Sequence, residues 1–235
     1  MIDFHTHILP KTDDGSRSTD ESIKMLLALK EQGADAVAAT PHFYANDESV
    51  EDFLKRRQAS FDALKSAVPD GMPEILLGAE VKYYEGISRL DGLKSLCLQG
   101  TRLLLLEMPM RSWTEYNVRE LIDISCSGKI IPVLAHIERY MRFQKNGVFD
   151  MLLENDVLMQ INASFVCGML TKSKAIALLG RRRVHFIGSD CHNMSDRPPN
   201  IGKAYEIIRK KLGEDFSEGF NEYAKNYIYR KDEKQ

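Results

Sequence analysis

Five of the six histidines in this 235-residue chain lie at or just after short apolar runs, and two further runs lead into a glutamate. His5 and His7 alternate in Asp3-Phe4-His5-Thr6-His7. Residues i and i+2 of an extended strand point to one side, so both imidazoles can reach one metal ion. His42 follows Ala39-Thr40-Pro41, His136 closes Leu134-Ala135, and His192 ends Ser189-Asp190-Cys191. Glu80 follows Gly78-Ala79, and Glu107 follows the four leucines 103–106. A carboxylate directly after such a run is costly if buried and unpaired, and a cation relieves that cost. One histidine at a strand end is more often a hydrogen-bonded structural residue, and one glutamate there can cap a helix N-terminus. Seven such side chains at the same end of successive runs point instead to a shared metal site. Imidazole and carboxylate without thiolate suit manganese, iron or zinc in hydrolysis. In Asp13-Asp14-Gly15 the spacing supports a ligand role for Asp14, seven residues after His7, without excluding Asp13. The sixth histidine, His185, lies within an apolar strand-like run and reads as structural.

These groups need a frame that gathers strand ends. Continuous apolar runs at 3–5, 37–40, 75–78, 103–106, 131–134, 158–161 and 184–187 read as parallel strands covered on both faces. Helix-like segments alternate with them. Ser18-Thr19-Asp20-Glu21 opens the first with a capping box, Met25, Leu26 and Leu29 give it an apolar face, and Gly33 ends it. Others fall near 49–67, 115–127, 145–154, 171–180 and 203–212. Seven strand–helix units predict an α/β fold, a closed or nearly closed seven-stranded (β/α) barrel with its site at the C-terminal strand ends. An open doubly wound sheet is the structural alternative. With no flexible linker in sight, residues 1–235 read as one catalytic domain. About 213–235 is expected to be a peripheral tail, with the polar stretch 221–235 frayed.

Composition narrows the function. The net charge of -2, with signs interspersed, gives no basic stripe for nucleic acid and no polybasic block for a membrane. No apolar run approaches the ~20 residues of a spanning helix. The N-terminus has no basic and apolar leader, and the four cysteines are scattered without pairing spacing, so the expected location is the cytoplasm. Oligomeric state is not legible.

The motifs together resemble the polymerase and histidinol phosphatase (PHP) superfamily, whose marks are the N-terminal His-x-His and the closing Ser189-Asp190-Cys191-His192. With Asp3-Phe4-His5-Thr6-His7-Ile8-Leu9-Pro10, Asp13-Asp14-Gly15, Ala39-Thr40-Pro41-His42, Gly78-Ala79-Glu80, His136-Ile137-Glu138-Arg139-Tyr140, Gln160-Ile161-Asn162-Ala163 and Arg197-Pro198-Pro199, the chain is similar to one branch. That branch is the bacterial manganese-dependent tyrosine-protein phosphatases of capsule and exopolysaccharide operons. The resemblance runs from residue 1 to about 200. It implies a distorted seven-stranded barrel holding two or three divalent ions. His5, His7, Glu80 and Asp190 would hold the first, Glu80 would bridge to a second with Glu107 and His136, and Asp14, His42 and His192 would hold the third. It also implies that Arg139 and Arg197 face the substrate phosphate, and that the substrate is a phosphotyrosine protein, in particular a bacterial tyrosine autokinase with a tyrosine-rich tail.

The chemistry expected is attack by metal-activated water on a phosphotyrosine monoester, with no covalent phospho-enzyme. Cys191 to Arg197 also fits C-x5-R, the spacing of thiol-dependent tyrosine phosphatases. That loop lacks glycine, contains Asp196 and is preceded by Asp190, carboxylates that repel thiolate and phosphate alike, so Cys191 reads as a spacer between two ligands. Two competing functions keep the frame: a phosphatase acting on a small ester such as histidinol phosphate or on a nucleic-acid end, and a barrel that only binds. The second predicts missing ligands, and every position is filled.

Overall fold

The structure, a computed structural model, describes residues 1–229. Its strands are β1 (Ile2–Thr6), β2 (Ala36–Ala39), β3 (His42–Phe43), β4 (Glu74–Leu77), β5 (Glu80–Lys82), β6 (Leu103–Glu107), β7 (Ile131–Leu134), β8 (Leu158–Asn162) and β9 (Phe186–Gly188). The helices are α1 (Thr19–Glu31), α2 (Val50–Ala67), α3 (Glu115–Cys126), α4 (Val148–Glu154), α5 (Ala163–Cys167), α6 (Lys172–Gly180), α7 (Ile201–Leu212) and α8 (Glu214–Tyr229). The fold is α/β, and every strand pairing is parallel.

Among the described residues there are nine short strands where seven were expected, in sheets ordered β1-β2-β4 and β3-β5-β6-β7-β8-β9. Seven of them match the expected runs, and the other two, β3 and β5, continue β2 and β4 beyond a break. Pro41 has no N–H for the ladder and separates β2 from β3. Gly78 and Ala79 separate β4 from β5, where a Cβ on Gly78 would meet the Thr40 and Leu98 side chains at 3.2 and 3.3 Å. Hydrogen bonds still cross both breaks, from Gly78 N–H to the Ala39 carbonyl (2.9 Å) and from Glu80 N–H to the Pro41 carbonyl (3.0 Å). β1 and β9 meet through Asp190 N–H to the His5 carbonyl (2.8 Å) and His7 N–H to the Cys191 carbonyl (2.9 Å). That approach needs Gly188: a Cβ there would lie 2.4 Å from the His5 Cβ.

The strands are buried on both faces, as their unbroken apolar runs require. One set of alternating residues (Phe4, Ala38, Leu105, Val133, Leu158, Phe186) forms an inner cluster, with the Phe4 and Phe186 rings stacked at 3.9 Å. The other set (Val37, Leu104, Leu106, Leu134, Ile161, Ile187) packs against the helices in the larger cluster. Strand parity then aims inner-face positions at the mouth, with Glu80 following Leu76 and Gly78, and Glu107 following Leu103 and Leu105.

The C-terminal segment departs from its expectation. Residues 214–229 form α8, whose Ala224 and Ile228 join the inner cluster, while Tyr229 Oη donates to Glu74 at the start of β4 (2.7 Å). The described part of the expected frayed tail is therefore a helix lying across the N-terminal strand ends. The rest of it, 230–235, lies outside the described residues. No helix among the described residues is long and apolar enough to cross a membrane.

Candidate metal centre

The β1–β2 register shifts between Asp3 and Thr6. A bulge of this kind re-aims side chains, and here it turns His5 and His7 toward the interior already lined by Phe4. Their Nε2 atoms approach to 3.1 Å. Glu80 Oε2 lies 3.1 Å from His5 Nε2 and 3.4 Å from His7 Nε2, and Asp190 Oδ1 lies 3.7 and 3.5 Å from the same two atoms. Glu80 is the hub, because it also reaches His42 Nδ1 (3.1 Å) and His136 Nε2 (2.8 Å). Asp14 Oδ1 stands 3.5 Å from both His42 Nε2 and His192 Nε2, and Glu107 Oε1 lies 3.9 Å from His136 Nε2.

All nine sequence-derived ligand positions are thus brought together. Their ligand atoms form four overlapping groups: His7, Asp14, His42 and His192; His5, His7 and Asp190; His5, Glu80 and His136; and His42, Glu80 and Glu107. The partition differs from the one the resemblance implies, since His7 also joins the third set and His42 also joins the Glu80–Glu107 set. Inward-pointing nitrogens and carboxylate oxygens fit divalent cations: two facing imidazole nitrogens can share only one proton, and a cation satisfies both lone pairs and the carboxylates beside them. No thiolate enters any group.

Backbone strain marks the same place. His136 (φ 33°) and Asp190 (φ 54°) adopt left-handed conformations where their strands end. Non-glycine residues there cost roughly 1–2 kcal/mol each, a cost that persists where surroundings hold the residue to a task.

Electrostatics separates the ligands. Burial disfavours a charge on His5, but Glu80 and Asp190 outweigh it and raise its pKa above the usual histidine value. His7 is raised well above that value, with Asp13 opposing burial. For Glu80, burial is overcome by the His5 charge and by hydrogen bonds from His136 and His42, which hold the carboxyl well below its usual range. His136 is lowered, chiefly by burial, and His192 falls to about 4 through burial and the neighbouring His7 and Arg197 charges. Those two imidazoles are neutral near pH 7, the form that binds a metal.

The spacing admits either Asp13 or Asp14, and the structure gives the two different surroundings. Asp13 is turned inward: its Oδ2 pairs with His7 Nδ1 (2.6 Å) and accepts from His42 N–H (2.9 Å), while Oδ1 accepts from Gly15 N–H (2.9 Å). Asp14 is 67% exposed and faces His42 and His192. Asp13 therefore orients His7, and of the two only Asp14 lies in a possible ligand group, with His7, His42 and His192. Gly15 makes the turn possible, since a Cβ there would meet the His7 carbonyl oxygen at 2.4 Å.

Other supporting groups carried no sequence-derived role. Gln160 Oε1 accepts from His136 N–H (2.6 Å), Asn162 Nδ2 donates to Asp190 Oδ2 (2.8 Å), and Tyr140 Oη bonds His136 Nδ1 (2.9 Å). The signal available for the first two is polar alternation, Gln160-Ile161-Asn162, at the end of a buried strand. Tyr140 is fully buried, and its hydroxyl fixes the ring whose Nε2 faces Glu80. Tyr140→Phe should lower metal affinity or turnover by roughly 10–100-fold, as loss of such outer partners does. Metal titration alongside kcat checks this, and wild-type values for both would remove the hydroxyl from the site.

Arg139 and Arg197 both place Nη2 2.6 Å from Asp190 Oδ2, and Arg197 Nη1 donates to His192 Nε2 (2.8 Å). Cys191 is buried, and burial followed by the Asp3 charge raises its thiol far above the usual value. In the C-x5-R loop, Asn193 Oδ1 accepts from the N–H groups of Ser195, Asp196 and Arg197, so those amides form no phosphate cradle. His185 is structural, as expected: its ring Nδ1 accepts from Met159 N–H (3.1 Å), and burial lowers its pKa to about 4.

Comparison with known proteins adds four findings. Residues 1–228 match the family model described as capsular polysaccharide synthesis, CpsB/CapC. The tyrosine-protein phosphatase CpsB of Streptococcus pneumoniae is 32% identical over 229 residues, covering 91% of each chain. Crystal structures of YwqE from Bacillus subtilis and CpsB from S. pneumoniae, described as metal-dependent tyrosine phosphatases, include a chain that superposes with a TM-score of 0.83 at 27% identity, covering 97% of this chain and 94% of that one. A histidinol phosphate phosphatase from Lactococcus lactis shares the fold, with a TM-score of 0.57 at 15% identity over 89% of this chain and 93% of that one.

Proposed function

The chain belongs to the CpsB/CapC family, and from that premise we propose that it is a metal-dependent protein-tyrosine phosphatase whose ions are held by His5, His7, Asp14, His42, Glu80, Glu107, His136, Asp190 and His192. The observation that carries this reading is the convergence of those nine side chains around Glu80 at the C-terminal strand ends. Two or three divalent ions bound there, manganese foremost, would supply a water of lowered pKa and neutralise charge on the phosphate. With β2 and β3, and likewise β4 and β5, read as single bent strands, the frame is a distorted seven-stranded barrel and one catalytic unit.

The chain's own groups do the rest. Arg139 and Arg197 converge at the mouth and present planar donor forks suited to a phosphate's equatorial oxygens. Glu80, Asp190 and Asp13 hold the imidazoles in place. The leaving group is tyrosine's phenolate, with a free pKa near ~10, so departure needs less help from an acid than an alkoxide would. The inward, protonated Cys191 takes no part. The physiological substrate we propose is the tyrosine-rich tail of a bacterial tyrosine autokinase in capsule synthesis, and the four free thiols suit the cytoplasm.

Assay of the purified protein with manganese on phosphotyrosine peptide, phosphoserine peptide and histidinol phosphate tests this. Phosphotyrosine should be turned over best. A chelator should remove activity by about 10³-fold or more, and iodoacetamide should leave it intact. Equal or better turnover of histidinol phosphate, or thiol-sensitive and chelator-resistant activity, would sink the proposal.

A further inference from the structure

Phosphotyrosine differs from phosphoserine by a flat ring between the ester oxygen and the backbone, and a site can read that ring away from phosphorus. We propose that Tyr44 is the wall this ring meets, and so the residue that selects aryl over alkyl phosphates. The inference rests on the phosphatase reading and deepens it. Tyr44 is 38% exposed, and its ring lies 5.4 Å from the His42 ring at 31°. His42 itself reaches Glu80 and Asp14, so Tyr44 borders the opening of the metal centre.

The neighbouring aromatics do not offer a surface. Tyr140 is fully buried and committed to His136, and Trp113 is buried against Tyr140 at 5.5 Å. The Tyr44 hydroxyl makes no hydrogen bond to the described residues, so the side chain presents a ring rather than a link in the polar network.

The backbone that carries the wall is fixed in advance, and its ring packs on His42. The Tyr44 carbonyl accepts from Asp47 N–H (3.0 Å) and Glu48 N–H (3.3 Å). The Glu48 carboxylate is held by Arg56 Nε of α2 (3.2 Å), and Arg56 also donates to the Thr12 carbonyl in the loop beyond β1. A ring placed before substrate arrives loses little freedom on binding, and an offset or edge-on aromatic pair then favours an aryl ester by roughly 2- to 10-fold.

The test measures dissociation constants of phenylphosphonate and methylphosphonate for the metal-loaded wild type, Tyr44→Ala and Tyr44→Phe, with metal content determined for each. Tyr44→Ala should weaken phenylphosphonate by about 3- to 10-fold and change methylphosphonate by less than about twofold, and Tyr44→Phe should restore phenylphosphonate binding. In kinetics the same loss should fall on KM for phosphotyrosine peptide rather than on kcat. Equal weakening of both phosphonates, or of neither, overturns the assignment. Binding reads the wall even if the wild type turns over no phosphotyrosine, so the two readings fail separately.

Discussion

Glu80→Gln is expected to lower phosphotyrosine turnover by about 10³-fold or more and to strip bound metal, while the fold survives. The change is nearly isosteric but removes the one anion that reaches His5, His7, His42 and His136. Ions at such a centre contribute several kcal/mol to a phosphoryl-transfer transition state, and ~4 kcal/mol corresponds to roughly 10³ in rate. The same geometry makes metal binding depend on pH. Without metal, the buried carboxylates favour protons on His5 and His7 and raise both pKa values above the ordinary histidine value. Those protons stabilise the metal-free protein at low pH, and their contribution is lost as pH rises through the raised pKa values. Metal binding must expel them and is therefore favoured in the same direction. Circular dichroism with metal analysis decides the case: a folded Glu80→Gln protein with full metal and wild-type rate would remove Glu80 from the centre.

Most of the proposed ligands are legible because they stand at or just after the end of an apolar run, where physical cost makes a polar group conspicuous. Leu103 to Leu106 followed by Glu107 needs no partner strand to look unusual. Helix α1 was equally clear, since Ser18 caps its start and Gly33, at φ 86°, follows its end. What failed to show depends on contacts distant in sequence. The β1 bulge exists only against β2, and the strand breaks at Pro41 and Gly78 depend on how neighbouring strands continue past them. In α8, the buried Phe220, Ala224 and Ile228 recur every four residues among polar side chains, a stripe too thin to stand out. It has a purpose once the inner cluster needs covering. Asp13 and Asp14 are adjacent and chemically identical, and only the fold of the loop decides which one turns toward His7.

Arg139→Ala and Arg197→Ala should each lower kcat/KM for phosphotyrosine by roughly 10²- to 10³-fold, the usual cost of losing a preorganised donor to transition-state charge. Both guanidiniums meet the same Asp190 oxygen at 2.6 Å, yet each is more than a third exposed and keeps further N–H groups for a ligand. Because they share Asp190, the double variant should lose less than the product of the single effects. The two residues differ in one testable way. Arg197 also donates to His192 Nε2, whereas Arg139 touches no histidine nitrogen among the described residues. A single lone pair on His192 Nε2 cannot serve both an ion and the Arg197 N–H, so an ion held by His192 would leave that donor free for phosphate. Arg197→Ala should accordingly bind metal as well as or better than the wild type, and Arg139→Ala should leave metal content unchanged, with the rate lost in both. Lysine at either position should restore little, since an ammonium cannot reproduce the bidentate fork. Full activity in Arg139→Ala, or metal loss that accounts for the whole rate effect in either variant, would mean that the arginines support the ligands and do not grip the substrate.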